Sequence, residues 1–169
     1  GNFADKAYES VFTPVTVPGL IGNSNPNARA HNFGGGDVYQ KIKLAKGAYT
    51  IVLQWDDDFY SLGGNQGAAN DFDIYLMDNA GNIQYGANRF NLGKDPVEVL
   101  PFVVTEDNAI TNIMIVRASG TSNAPVKYVV FRGKNGFSFE EYGAGASTIV
   151  GHANAKGAMT VGAVRFTGS

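Results

Sequence analysis

Tyr49-Thr50-Ile51-Val52-Leu53-Gln54-Trp55-Asp56-Asp57-Asp58 decides the fold. Its largest apolar residues fall at every second position. In an extended chain Tyr49, Ile51, Leu53 and Trp55 project to one face, as a half-buried strand requires. The three acids then end the run in water. Working upstream, Lys46-Gly47 turns the chain, and residues 37–44 alternate again, with Val38, Ile42 and Leu44 on one face and Lys41 and Lys43 on the other. Downstream, a polar, glycine-rich loop over 56–70 leads into a strand over 71–78, with Phe72, Ile74 and Leu76 inward. Asn79-Ala80-Gly81-Asn82 is a hairpin turn into Ile83-Gln84-Tyr85. Further strands are expected over 97–104, 112–117 and 128–132, with a short one over 136–140. Alternation of period two, recurring about every ten residues and with hardly any helical period, predicts an all-β antiparallel sandwich of jelly-roll type.

Composition agrees. The chain has 169 residues, 44% hydrophobic and 17% charged, so it can bury a core. Its 22 glycines suit many tight turns. A net charge of -2 gives no electrostatic case for nucleic acid or an anionic membrane surface. No apolar run nears membrane-spanning length, so no membrane insertion is expected. Zero cysteines exclude disulfides and thiol catalysis. No signal peptide is visible, and the opening Gly1-Asn2-Phe3 without an initiating Met is what a mature piece or a recombinant fragment would show.

The expected organisation has three parts. Residues 1–30 form an irregular segment with one proline-flanked edge strand within 11–18. Residues 31–146 form the sandwich, entered through a bend at Gly34-Gly35-Gly36. Residues 147–169 carry an extra C-terminal strand, Ala158-Met159-Thr160-Val161-Gly162-Ala163-Val164. Cut off from other neighbours, that apolar strand is expected to pair with a sandwich edge or a second chain.

The acids gather at one end. The expected hairpin-like pairing puts Asp56 and Asp58 beside Asn70, Asp71 and Asp73, with Glu98 arriving from a later strand. Asp71 and Asp73 are two apart and share a face. Carboxylates converging without a basic partner repel unless a hard cation neutralises them, and calcium favours such oxygen ligands. Asp56, Asp58, Asn70, Asp71, Asp73 and Glu98 are therefore the candidate metal ligands, for a structural calcium ion. The same residues also suit turn capping, because Asp and Asn bond nearby backbone N–H groups. Paired carboxylates beside Trp55, Tyr60 and Tyr75 would suit glycoside hydrolysis, although no single pair stands out.

There are two histidines, His31 and His152. Neither has a serine in a nucleophile-elbow motif to serve. His31 precedes three glycines but leads into a strand, not the helix of a phosphate loop. Tyr60, Tyr85 and Tyr142 are expected at the surface, where they could form a platform for a glycan or protein.

Two stretches carry a family resemblance. Leu53-Gln54-Trp55-Asp56-Asp57 with Asn70-Asp71-Phe72-Asp73-Ile74-Tyr75-Leu76-Met77-Asp78-Asn79-Ala80-Gly81, followed by Asp95-Pro96-Val97-Glu98, resembles bacterial pre-peptidase C-terminal domains. Thr148-Ile149-Val150-Gly151-His152-Ala153-Asn154-Ala155-Lys156-Gly157-Ala158-Met159-Thr160-Val161-Gly162-Ala163 resembles a core segment of secreted bacterial subtilisin-like serine peptidases. The resemblance implies an accessory sandwich inserted before that segment, secreted or at the cell surface. It implies a structural role, calcium binding, or contact with extracellular protein or polysaccharide, with the rest of a parent peptidase as partner. The catalytic segments of that family, D-x-G, H-G-T and G-T-S-M-A, are absent from the sequence, so no peptidase activity is expected of this chain. Two alternatives remain: a stand-alone carbohydrate- or protein-binding module, and a carboxylate- or metal-dependent hydrolase.

Overall fold

A computed structural model describes residues 4–17, 25–63, 66–132, 136–143 and 159. Eleven strands among the described residues build two antiparallel sheets. The first sheet has the order β1 (Ala7–Val11), β10 (Pro125–Arg132), β5 (Gly47–Trp55), β8 (Val97–Val104). The second is organised by its longest strand, β9 (Ala109–Ser119). On one side β9 pairs with β6 (Asp71–Met77), which pairs with β7 (Ile83–Ala87). On its other side β4 (Gln40–Leu44) and β3 (Arg29–His31) lie end to end, at Ala109–Ile113 and at Val116 and Arg117 respectively. β11 (Phe137–Phe139) extends β4, and β2 (Pro14–Val15) extends β3. The fold is an all-β antiparallel sandwich.

The core follows from the alternation. Tyr49, Ile51, Leu53 and Trp55 of β5 face Phe72, Ile74 and Leu76 of β6 and Ile113 and Ile115 of β9, all in one buried cluster with Leu100, Phe102, Tyr128 and Val130. Burying each such side chain contributes about 1.5–3 kcal/mol relative to leaving it in water. One polar pair crosses this core. Tyr128 Oη donates to Gln40 Oε1, and Gln40 Nε2 donates to the Tyr142 carbonyl at 3.0 Å, so the buried amide is satisfied at both ends.

Three features differ from the sequence expectation. First, the described parts of residues 1–30 contribute strands to the sheets. β1 pairs with β10 in register from Ala7–Val129 to Val11–Pro125, and β3 pairs with β9. Tyr8 and Phe12 enter the main core. The polar Glu9-Ser10 pair in the middle of β1 sits on an edge strand, where weak alternation suffices. Second, β6 is buried along all seven residues. Its outward Tyr75 and Met77 join Ala28, Ala30, Met114 and Val116 in a second cluster, packed under Val17, Val38 and Tyr39. Val38 therefore stands there and not on the face of Ile42 and Leu44, because β4 begins only at Gln40. Third, β9 is longer than the expected strand over 112–117, because three other strands share its backbone.

The bend at 34–37 is a tight turn, with Asp37 N–H bonded to the Gly34 carbonyl at 2.9 Å and positive φ at Gly35 and Gly36. The C-terminal strand over 158–164 lies outside the described residues apart from Met159, which is exposed. His152 also lies outside them. No helix among the described residues is long and apolar enough to cross a membrane.

Candidate functional site

The acidic end is built on a loop contact. Residues 66–70 and 91–95 run against each other: Ala68 N–H donates to the Lys94 carbonyl at 2.8 Å, and Gly93 N–H returns to the Ala68 carbonyl at 2.9 Å. Gly67 permits this approach. It has φ of 65°, and a Cβ there would lie 2.4 Å from the Gly93 carbonyl carbon.

Asp57 holds the first half of the loop pair. Its Oδ2 accepts Trp55 Nε1–H at 3.0 Å, Ala69 N–H at 3.1 Å and Asn70 N–H at 2.9 Å. Asn70 is engaged at both ends, since its Nδ2 donates to Asp57 and its Oδ1 accepts Ser122 N–H at 3.0 Å. Asp56 and Asp58, on either side of Asp57, are exposed.

Asp71, Asp73 and Glu98 are buried, with Asp71 and Glu98 repelling the Asp73 charge and Asp71 repelling that of Glu98. Asp71 Oδ1 accepts Asn91 N–H at 2.9 Å. Glu98 Oε1 accepts Arg89 N–H at 3.1 Å, and its Oε2 lies 3.7 Å from Arg89 Nε. Two acids thus hold two successive points of the loop that crosses from β7 to β8. Asp73 accepts the Tyr75 hydroxyl at 2.9 Å. Burial pushes the Asp73 carboxyl up to about 7, with repulsion from Asp71 and Glu98 adding to it and the Tyr75 hydrogen bond opposing it. Burial also raises Asp71 and Glu98. The Asn91 N–H and Lys94 oppose the shift at Asp71, and Arg89 opposes it at Glu98. Tyr75 is raised by burial and by the Asp73 charge.

Of the six candidate ligands, the fold therefore buries Asp71, Asp73 and Glu98 near one another, occupies Asn70 with structural bonds, and leaves Asp56 and Asp58 in solvent. Among the described residues no three acidic or imidazole side chains converge as a metal cage. Asp56 and Asp58 lie in solvent, apart from the three buried acids. Two buried oxygens at this corner, Asn91 Oδ1 and Glu98 Oε2, have no hydrogen-bond partner. The Asn91 amide is fixed because its Nδ2 donates to the Asp95 and Val97 carbonyls, at 2.8 and 3.1 Å. Outside this corner lies a cavity of about 330 Å3 lined by Arg89, Phe90, Asn91, Lys94, Asp95 and Val97.

His31 cannot act as a general base. It is fully buried, its Nδ1 accepts Thr13 N–H at 3.1 Å, and its Nε2 is 2.8 Å from Tyr8 Oη. An Nδ1 that accepts from the backbone places the proton on Nε2. The three surface tyrosines stand apart. Tyr85 leans on Phe102 and donates to the Val103 carbonyl, Tyr142 stacks on Phe33, and Tyr60 lies in the turn Tyr60–Leu62.

Sequence reasoning missed Asp57, Arg89 and Asn91. The middle acid of a three-acid run carries no mark of its own, and the bonds that Arg89 and Asn91 give to Glu98 and Asp71 come from backbone N–H groups that any residue possesses. Tyr75 was within reach, because it lies two residues past Asp73 on the same face. Compared with known proteins, the chain matches no family model and no curated protein.

Proposed function

We propose that the chain is a non-catalytic accessory sandwich of a secreted or cell-surface subtilisin-like serine endopeptidase. The observation that carries this reading is the order of its two motif stretches, the acidic strand pair at Leu53–Asp73 followed by the peptidase-core-like segment at Thr148–Ala163. The side chains support a structural role. His31 is sealed in the core, and Asp57, Asp71 and Glu98 each hold backbone N–H groups of a loop. The partner is the rest of the parent peptidase, with extracellular protein or polysaccharide as the further contact.

The test is activity and parentage together. Purified chain is expected to leave casein intact and to take up no fluorophosphonate label. The flanking coding sequence is expected to contain H-G-T upstream and G-T-S-M-A downstream. Labelling abolished by one substitution within the chain would overturn the reading.

Calcium belongs to this proposal as a structural ion at the acidic end of the sandwich, where it would offset the negative charge buried with Asp71, Asp73 and Glu98. Adding calcium at about a hundred times its Kd is expected to raise the melting temperature by roughly 5–10 °C, reversed by chelator. An unchanged melt would remove calcium and leave the acids as loop anchors only.

A further inference from the structure

At the end of the sandwich next to Asn70 and Ser122, Arg117 projects from β9 toward the core. Its register partners are Phe72 on β6 and a second arginine, Arg29, on β3. Arg117 is 7% exposed. Its guanidinium lies 5.3 Å over the Phe12 ring. Its Nη1 donates to the Ser122 carbonyl at 2.7 Å and to Asn123 Oδ1 at 3.1 Å, while Nε is buried with no hydrogen-bond partner. Half-buried Arg29 donates through Nη1 to the Pro26 and Ala28 carbonyls, both at 2.8 Å.

This arrangement lacks its counter-charge. A guanidinium does not deprotonate in proteins, and buried charges are ordinarily paired. Like charges directly opposite on neighbouring strands destabilise a sheet. The ion pairs among the described residues are Lys41–Glu141, Arg89–Glu98 and Lys127–Glu9, and neither arginine takes part. All 15 acidic side chains of the sequence fall among the described residues. No side-chain carboxylate of this chain outside the described residues therefore exists to complete the pair.

We propose that Arg29 and Arg117 form a receptor for an oxyanion supplied from outside the chain. The planar N–H forks of two arginines match the oxygens of a phosphate, a sulfate or a carboxylate. The oxyanion is either a free inorganic ion or the acidic side chain of a second polypeptide seated on this end of the sandwich. Asn123, already bonded to Arg117, stands beside the site. The inference does not depend on the accessory-domain reading.

The test uses the whole chain at constant ionic strength in chloride. Phosphate, sulfate, a short glutamate-containing peptide and its glutamine counterpart are added separately. At about a hundred times Kd, a bound oxyanion is expected to raise the melting temperature by roughly 5–10 °C and to move the Arg117 Nε–H resonance saturably. Arg29→Gln is expected to abolish both responses while melting in chloride no lower than the parent, since it relieves a like-charge contact. A response to phosphate or sulfate but not to the peptide identifies a free ion. A response to the glutamate peptide but not its glutamine counterpart identifies a docked chain. An unmoved Arg117 resonance with every oxyanion, or an equal response in Arg29→Gln, overturns the proposal.

Discussion

Asp73→Asn is expected to stabilise the protein by about 3 kcal/mol at pH 8 and to change it little at pH 4. Asp73 is 4% exposed, with its carboxyl raised from 3.8 to about 7, first by burial and then by its acidic neighbours. The sign follows from proton counting. Between pH 3.8 and 7 the folded state keeps a proton that the unfolded state has lost, so stability falls as pH rises through this window and levels off above it. The shift of about 3 units corresponds to about 4 kcal/mol at 1.36 kcal/mol per unit. Asparagine removes that cost and still accepts the Tyr75 hydroxyl, but its extra N–H groups need acceptors, which reduces the gain. Urea denaturation from pH 4 to 8 in calcium-free buffer measures it. A variant less stable than the parent at pH 8 would contradict the buried, proton-retaining carboxyl. Repeating the series in calcium separates two uses of the group. A metal ligand has to be ionised, so if Asp73 is one, the substitution removes the calcium-dependent part of the stability.

The distribution of such groups explains what could be read from the sequence. β5 alternates cleanly, because it buries one face against the other sheet and leaves one in water, and its buried Tyr49, Ile51, Leu53 and Trp55 are those the period-two pattern marks; β8 also alternates in burial, but its inward face carries charged Glu98 while Val99 and Val103 are exposed. β6 does not alternate in burial, since the second cluster covers its outer face, and no local pattern announces a cover formed by residues 17, 28, 30, 38 and 39. β1 and β3 were illegible for a related reason. Edge strands and strands of three residues carry too few side chains to establish a period. At the acidic end the sequence correctly places Asp71 and Asp73 on one face. It cannot distinguish Asp57, which accepts from four donor groups, from exposed Asp56 and Asp58, because that choice depends on where residues 69–70 pass. The Arg29–Arg117 opposition is equally hidden, since it needs the register of two strands nearly ninety positions apart.

His31→Asn is expected to change how stability responds to acid, and the effect opposes that of Asp73. Burial lowers the His31 imidazole from 6.5 to about 4. Protonation would put a hydrogen on Nδ1, which already accepts Thr13 N–H at 3.1 Å. Below pH 6.5 the unfolded chain therefore takes up a proton that the folded state refuses until about pH 4. Stability from this residue is fully present above 6.5 and is lost as pH falls to 4, by about 3.4 kcal/mol for a shift of about 2.5 units. Over the same interval Asp73 gains stability on acidification at the same slope per pH unit. In the parent protein the two contributions cancel between pH 4 and 6.5. Each single substitution exposes the other group: His31→Asn is expected to gain about 3 kcal/mol on going from pH 6.5 to 4, and Asp73→Asn to lose about as much. The lost ring contacts of His31 with Tyr8, Phe12 and Phe33 lower the stability of His31→Asn at every pH, so the slope and not the offset carries the test. The double variant returns to the parental slope if the two sites act independently. A difference between parent and His31→Asn that stays constant from pH 4 to 6.5 would mean that the imidazole titrates as freely in the core as in water.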